Sequence, residues 1–173
     1  IIDIIDELPN SFKDLWNNKI YNIKPDKIYI IGGSFGGPAA ILSSLDKRVD
    51  KIISISSVIN WKKLGKAEPL DKSEKFFKEG FGNGYRLVKN AWQKIASGKF
   101  YTPLNQISKI EGKKLLLIHA KDDDVCPYKE TKNFAKLTGA KLIALSKGGH
   151  LGSSLLITPR YYKLVKQFLN SKI

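Results

Sequence analysis

The chain contains 173 residues, 42% of them hydrophobic and 10% aromatic, which suits a single globular domain with a sizeable core. No apolar run is long enough to span a membrane, and a lone cysteine, Cys126, excludes an intrachain disulfide and a cysteine metal cluster and predicts a reducing, cytoplasmic location. The net charge of +14 comes mainly from dispersed lysines with only three arginines, which favours a solvated basic surface over nucleic-acid binding.

The first predicted elements are a helix, a strand and a second helix. Apolar residues across 1–18 recur at nearly helical spacing, and we expect Pro9 to kink or divide this segment. A turn leads into an apolar strand at 27–32, and a helix follows its glycine-rich end and runs to about Leu45. A second buried strand is predicted at 51–57.

Residues 60–105 interrupt this pattern with aromatics, glycines and lysines and with no strand spacing. A connection of this length predicts an inserted helical cap, with helices near 72–79 and 84–97. Its aromatic side chains either line a substrate pocket or form the cap's own small core. The pocket candidates are Trp61, Phe81, Tyr85 and Trp92.

Beyond the cap, strands and helices alternate again. Strands are predicted at 113–119 and 140–145, and helices at 127–137 and 158–170. This alternation predicts an α/β domain with a parallel sheet, right-handed crossovers and helices on both faces.

The turn after the first strand reads GGSFGG and contains Gly-x-Ser-x-Gly. Between a strand and a helix, this spacing places a serine hydroxyl above the sheet on a strained backbone, and Gly32 and Gly36 avoid a collision where the strand and the helix nearly touch. The stretch resembles the nucleophile elbow of the α/β-hydrolase family, and is most similar to the prolyl-oligopeptidase-type peptidases and their esterase relatives. The resemblance implies Ser34 as the nucleophile and the N–H of Phe35 as one oxyanion donor.

The same resemblance implies the order Ser, Asp, His along the chain. His150 follows two glycines after the last predicted strand, and it fits as the general base. The segment HAKDDDVCP, which begins at His119, resembles the family's His-Gly-x-x-Asp-x-x-Val-Pro segment. The acid of that segment falls on Asp123, with Asp122 and Asp124 open as alternatives, and His119 is then a structural residue at the strand end.

In the family, the second oxyanion donor comes from a loop after an earlier strand, and only 33 residues precede Ser34 here. We therefore expect one domain over residues 1–173 that lacks the N-terminal strands of the fold and has four parallel strands in chain order. The strand at 27–32 would then be an unblunted sheet edge. Residues 1–20, a second copy of the chain in a homodimer, or a separate chain would cover it.

These features predict a serine hydrolase that uses no metal or cofactor and cleaves a small carboxylic ester, a thioester or a peptide amide through an acyl-serine. The alternative is a non-catalytic α/β-hydrolase-fold domain that binds a ligand or a partner. That alternative has weight because the sequence supplies only half of the expected oxyanion hole.

Overall fold

The computed structural model describes residues 1–67, 70–84 and 90–171. The strands are β1 (Phe12–Lys13), β2 (Ile20–Tyr21), β3 (Tyr29–Gly33), β4 (Lys51–Ile55), β5 (Leu115–Ala120) and β6 (Lys141–Leu145). The helices are α1 (Ile2–Glu7), α2 (Gly37–Leu42), α3 (Leu70–Phe81), α4 (Ala91–Ala96), α5 (Tyr128–Thr138) and α6 (Pro159–Asn170). Among the helices described, none combines the length and the apolar character that crossing a bilayer requires.

Strands β3 to β6 form one parallel sheet in the order β3-β4-β5-β6, which confirms the predicted four-stranded sheet in chain order. Every residue of β4 and β5 is buried, as expected for central parallel strands that are covered on both faces. Because the four strands run in the same direction, their carboxyl ends meet at one edge of the sheet. The loops that follow them therefore lie side by side, where α/β folds bind ligands.

Helices cover both faces of the sheet, as the alternating pattern predicts. On one face, Ile41 of α2 and Phe134 of α5 share a buried cluster with Ile52 of β4. On the other face, Phe168 of α6 lies in a second cluster with Ile53 of β4. Successive residues of a strand point to opposite faces, so the two neighbouring isoleucines contribute to separate cores.

The helical interpretation of residues 1–18 is wrong beyond the first turns. α1 ends at Glu7, and β1 and β2 then pair as an antiparallel hairpin. Asp14 accepts a hydrogen bond from the backbone N–H of Trp16, and Asn18 has a φ of 57°. Asp and Asn favour turns through such local bonds and through the left-handed conformation, so this turn chemistry overrides the apolar spacing. Trp16, which contributed to that spacing, is 97% exposed.

The β3 side of the sheet is an open edge. In the described part of the chain, β3 pairs with β4 alone, and the side chains of Tyr29 and Ile31 are exposed. Residues 1–20 add no strand to it, because α1 packs into the core through Ile5 and β1 pairs with β2. An unpaired strand presents free backbone groups to any partner. A homodimer through this edge stays a prediction.

The segment at 60–105 contains α3 and α4 and, among its described residues, no strand. α3 lies where a helix is predicted near 72–79. Of the helix predicted over 84–97, the structure describes α4, whereas 85–89 lie outside the described residues. The role of this segment as a cap stays a prediction.

Candidate active site

The turn between β3 and α2 holds Ser34 in a left-handed backbone conformation with a φ of 48°. Residues other than glycine rarely adopt this conformation, and such strain concentrates at functional sites. A Cβ atom added to Gly32 would lie 2.5 Å from the Cβ of Ala40, so the strand and the helix approach each other here as predicted. The serine is therefore presented on a tight turn at the carboxyl end of an edge strand.

The expectation that a side chain at position 36 would collide with the neighbouring structure is wrong. A Cβ atom added there would meet no heavy atom of the described structure within 4 Å. The second close approach occurs one residue later, because a Cβ atom on Gly37 would overlap the side chain of Ser57 in the loop after β4. The turn thus needs a glycine against α2 and another against the neighbouring loop.

A continuous chain of hydrogen bonds connects Ser34, His150 and Asp123. The Nε2 atom of His150 lies 3.0 Å from the Oγ of Ser34, and its Nδ1 atom lies 3.0 Å and 3.1 Å from the two carboxylate oxygens of Asp123. An ionised carboxylate only accepts hydrogen bonds, so the proton of the neutral ring lies on Nδ1. The lone pair on Nε2 then faces the serine hydroxyl.

Asp123 is buried and surrounded by hydrogen-bond donors. One carboxylate oxygen accepts the backbone N–H groups of Val125 and Cys126 at 3.0 Å and 2.8 Å, and the other lies 3.1 Å from Nε2 of His119. Burial by itself would raise the pKa of this carboxyl group. The hydrogen bonds from His119, from the Cys126 N–H and from His150 outweigh burial and lower the pKa to about 2. Asp123 is therefore ionised at neutral pH.

The loop that carries His150 is anchored on both sides. Asp122 accepts the N–H groups of Gly148 and Gly149 at 3.3 Å and 2.9 Å, and these bonds, the one from Gly149 foremost, lower its pKa. On the other side, the N–H of Leu151 donates to the Oγ of Ser56 at 3.0 Å. Ser56 is fully buried and has a φ of 42°, the second strained serine of this region. The backbone on each side of the histidine is thereby fixed.

Phe35, the residue after Ser34, packs against an apolar cluster. The ring of Phe35 contacts the ring of Trp61 edge to face, with centroids 5.3 Å apart, and both pack in a cluster with Cys126. The other three pocket candidates from the sequence lie further along the 60–105 segment. Phe81 ends α3 with 55% of its surface exposed, and Trp92 is buried in α4. Tyr85 lies outside the described residues.

The sequence matches the model of the Prolyl oligopeptidase family over residues 10–172, nearly its whole length. The chain belongs to the prolyl oligopeptidase family. This finding confirms the resemblance drawn from the GGSFGG turn and the HAKDDDVCP segment. No curated protein matches this family member at a significant level.

Solved structures with the same fold are hydrolases by name. An acylaminoacyl peptidase from Pyrococcus horikoshii matches 88% of this chain at 23% identity with a TM-score of 0.58, and this chain covers 25% of it. An esterase from Pyrococcus furiosus matches 86% at 22% identity with a TM-score of 0.62, and 55% of it is covered. A meta-cleavage product hydrolase from Pseudomonas fluorescens matches 84% at 20% identity with a TM-score of 0.51, and 65% of it is covered. This family member thus spans about a quarter of the peptidase and about half of the esterase. At these identities the likeness shows the α/β-hydrolase fold.

Three residues contact the candidate site in ways that the sequence does not predict. The sequence offers Asp122 only as an alternative acid and His119 only as a structural residue, and it gives no signal for Ser56. The aspartates and the histidine occur together in the HAKDDDVCP segment, so that segment could have suggested them. Ser56 could not be found this way, because its partner Leu151 lies 95 residues away.

The described residues contain no group of three or more His, Cys, Asp or Glu side chains arranged to hold a metal ion. A cavity of about 850 Å³ lies elsewhere on the surface, between the start of α1, α2 and the segment at 99–109. None of Ser34, Asp123 and His150 lines it, so we do not place the substrate there.

Proposed function

We propose that this chain is a serine hydrolase that cleaves a carboxylic ester, a thioester or an amide through an acyl-serine intermediate, with Ser34, His150 and Asp123 as its catalytic triad. The hydrogen-bonded chain of these three side chains carries the proposal. Membership of the prolyl oligopeptidase family and the strained turn at Ser34 support it.

In the proposed reaction, Nε2 of His150 takes the hydroxyl proton as Oγ of Ser34 attacks the carbonyl carbon of the substrate. Asp123 stays ionised and stabilises the imidazolium that forms. The histidine then gives the proton to the leaving group as the bond to the carbonyl carbon breaks. In the second half, His150 takes a proton from water, the water oxygen attacks the acyl carbon, and the proton returns to Oγ as the carboxylic acid leaves.

The oxyanion of each tetrahedral intermediate needs N–H donors. The backbone N–H of Phe35 is the proposed first donor, because it follows the nucleophile directly. A single such donor typically contributes about 100- to 1000-fold to turnover. Among the described residues we assign no second donor, so we expect slow turnover even with a complete triad.

We propose that the substrate is a small ester, a thioester or a short peptide, and that it binds against the rings of Phe35 and Trp61. The family and the names of two similar structures, an esterase and an acylaminoacyl peptidase, support this proposal. The cap over 60–105, the homodimer through β3 and the cytoplasmic location are part of the same proposal.

A fluorophosphonate probe and a p-nitrophenyl acetate assay test this function. The wild-type protein should be labelled and should release p-nitrophenol, and Ser34→Ala should lose both signals. Ser108→Ala, which changes an exposed serine, is the matched control and should keep both. A folded wild-type protein that neither labels nor turns over would instead support a non-catalytic domain that binds a ligand or a partner.

A further inference from the structure

His119 uses both of its ring nitrogens, although it lies at the end of β5 with no exposed surface. Its Nδ1 atom is 2.9 Å from the hydroxyl of Thr131 on α5. Its Nε2 atom is 2.8 Å from the carbonyl oxygen of Cys126 and 3.1 Å from a carboxylate oxygen of Asp123. Buried polar groups need partners, and the first two contacts already satisfy this ring. The contact with the carboxylate goes beyond that requirement.

The partners of His119 determine where its proton lies. The carbonyl of Cys126 and the carboxylate of Asp123 can only accept, so Nε2 must carry a hydrogen. In the neutral ring, Nδ1 is then an acceptor, and the hydroxyl of Thr131 donates to it. The imidazoles of His119 and His150 consequently donate to the same carboxylate. Nε2 of His119 lies 3.1 Å from Oδ2 of Asp123, and Nδ1 of His150 lies 3.0 Å from the same oxygen.

We propose that His119, with its ring oriented by Thr131, is a positioning residue that holds the Asp123 carboxylate toward His150 and moderates the pull of that carboxylate on the proton of His150. The inference rests on the proposed triad. A carboxylate that shares its charge among several donors attracts each of them less strongly. Loss of the bond from His119 therefore leaves Asp123 freer to rotate and a stronger partner for the imidazolium of His150.

The pH dependence of turnover tests the inference, because the other groups that act on His150 or on its loop are known from the structure. Asp123 faces the ring directly, and the hydroxyl of Ser34 lies on its far side. Asp122 lies against the backbone of the same loop, and the charge of Lys147 acts on that carboxylate. Substitution of His119 changes none of these four residues chemically, so a changed pH–rate profile reports on the lost bond between His119 and Asp123.

The test compares His119→Phe, which removes the donor, with His119→Gln, which keeps an N–H near the position of Nε2. His119→Phe should lower kcat by about 10- to 100-fold, equivalent to one hydrogen bond to a charged group, with little change in KM. It should also move the acidic limb of the pH–rate profile upward by about half a unit to one unit. His119→Gln should recover part of both effects.

A second readout does not depend on turnover. The chain has two histidines, so either variant leaves His150 as the only imidazole in a histidine-labelled NMR titration. The midpoint of that titration should rise in His119→Phe. An unchanged midpoint and an unchanged acidic limb in a folded variant overturn the inference, whatever happens to kcat. A wild-type protein without turnover or labelling is a different result, which refutes the proposed function.

If His119→Phe does not fold, Thr131→Val and Thr131→Ser replace it. The valine variant should shift the His150 midpoint in the same direction by a smaller amount and alter the ring nitrogen signals of His119. The serine variant keeps a hydroxyl and should resemble the wild type. Equal titrations of His150 in the valine, serine and wild-type proteins also overturn the inference.

Discussion

Three adjacent carboxylates follow β5, and the structure predicts three very different consequences of changing each to an amide. In Asp123→Asn, the amide oxygen should turn toward the backbone N–H groups of Val125 and Cys126, because only an acceptor fits there. The amide nitrogen then faces His150. A donor at that position favours the tautomer with hydrogen on Nε2, which cannot take the proton of the Ser34 hydroxyl.

The size of each effect follows from these contacts. A wrong histidine tautomer costs about 10⁴-fold in kcat, so Asp123→Asn should be nearly inactive. Asp122→Asn keeps one oxygen for the N–H groups of Gly148 and Gly149 and loses one solvent-exposed hydrogen bond, so kcat should fall by roughly fivefold or less. Asp124 is exposed, so Asp124→Asn should stay within about twofold of the wild type.

Turnover of p-nitrophenyl acetate at neutral pH by the three variants is the assay, with circular dichroism to show that each one folds. Asp124→Asn serves as the matched control, because it makes the same chemical change at a neighbouring position. Wild-type turnover by Asp123→Asn would refute the proposed role of its carboxylate. A larger loss from Asp122→Asn than from Asp123→Asn would refute the assignment of the acid.

The remaining predictions concern stability, measured by urea unfolding. Gly37→Ala should lower the free energy of unfolding by about 1–3 kcal/mol through overlap with Ser57, whereas Gly36→Ala should not, and equal losses would contradict the packing described. Lys51→Met removes the ammonium group that donates to carbonyl oxygens at the end of α6, and it should lower the free energy of unfolding by about 1–3 kcal/mol. An unchanged free energy of unfolding would mean that these hydrogen bonds do not stabilise the fold. The pKa of Asp123 is lowered from 3.8 to about 2 in the folded protein. The ionised carboxylate therefore adds about 2 kcal/mol to the free energy of unfolding. This contribution is fully present above pH ~4 and is lost as the pH falls toward 2. The stability difference between wild type and Asp123→Asn should therefore shrink over that range, and a constant difference would contradict the lowered pKa.

The sheet could be predicted because its signals are local. Each of the four parallel strands is a short apolar run, and the sheet order follows the chain order. The positions of Ser34 and His150 were also accessible, since each lies in a glycine-containing loop directly after a strand. Parallel strands bring such loops to one edge whatever the intervening sequence does.

The parts that sequence reasoning missed depend on contacts between distant segments. Whether Gly36 or Gly37 is the constrained glycine depends on Ser57, which belongs to another loop. Asp122 and Asp123 are adjacent in sequence but bind different parts of the His150 loop, 26–27 residues further on. The hairpin after α1 differs, because its turn signals at Asp14 and Asn18 are local and compete with apolar residues that lie at nearly helical spacing.

β6 is the outermost strand on the side of the sheet that holds His150, and its residues are exposed or only half-buried. Ser34, the proposed nucleophile, follows β3 at the opposite edge, and the central strands β4 and β5 lie between the two edges. Regions of a protein with fewer buried contacts open at lower free energy than the core. β3 is an equally exposed edge strand, so transient fraying of either edge would separate His150 from Ser34 while the central strands stay paired. Loss of any catalytic activity on heating should then precede loss of the central sheet, and amide hydrogen exchange in β3 and β6 should report on the lifetime of the assembled site better than the global melting temperature does.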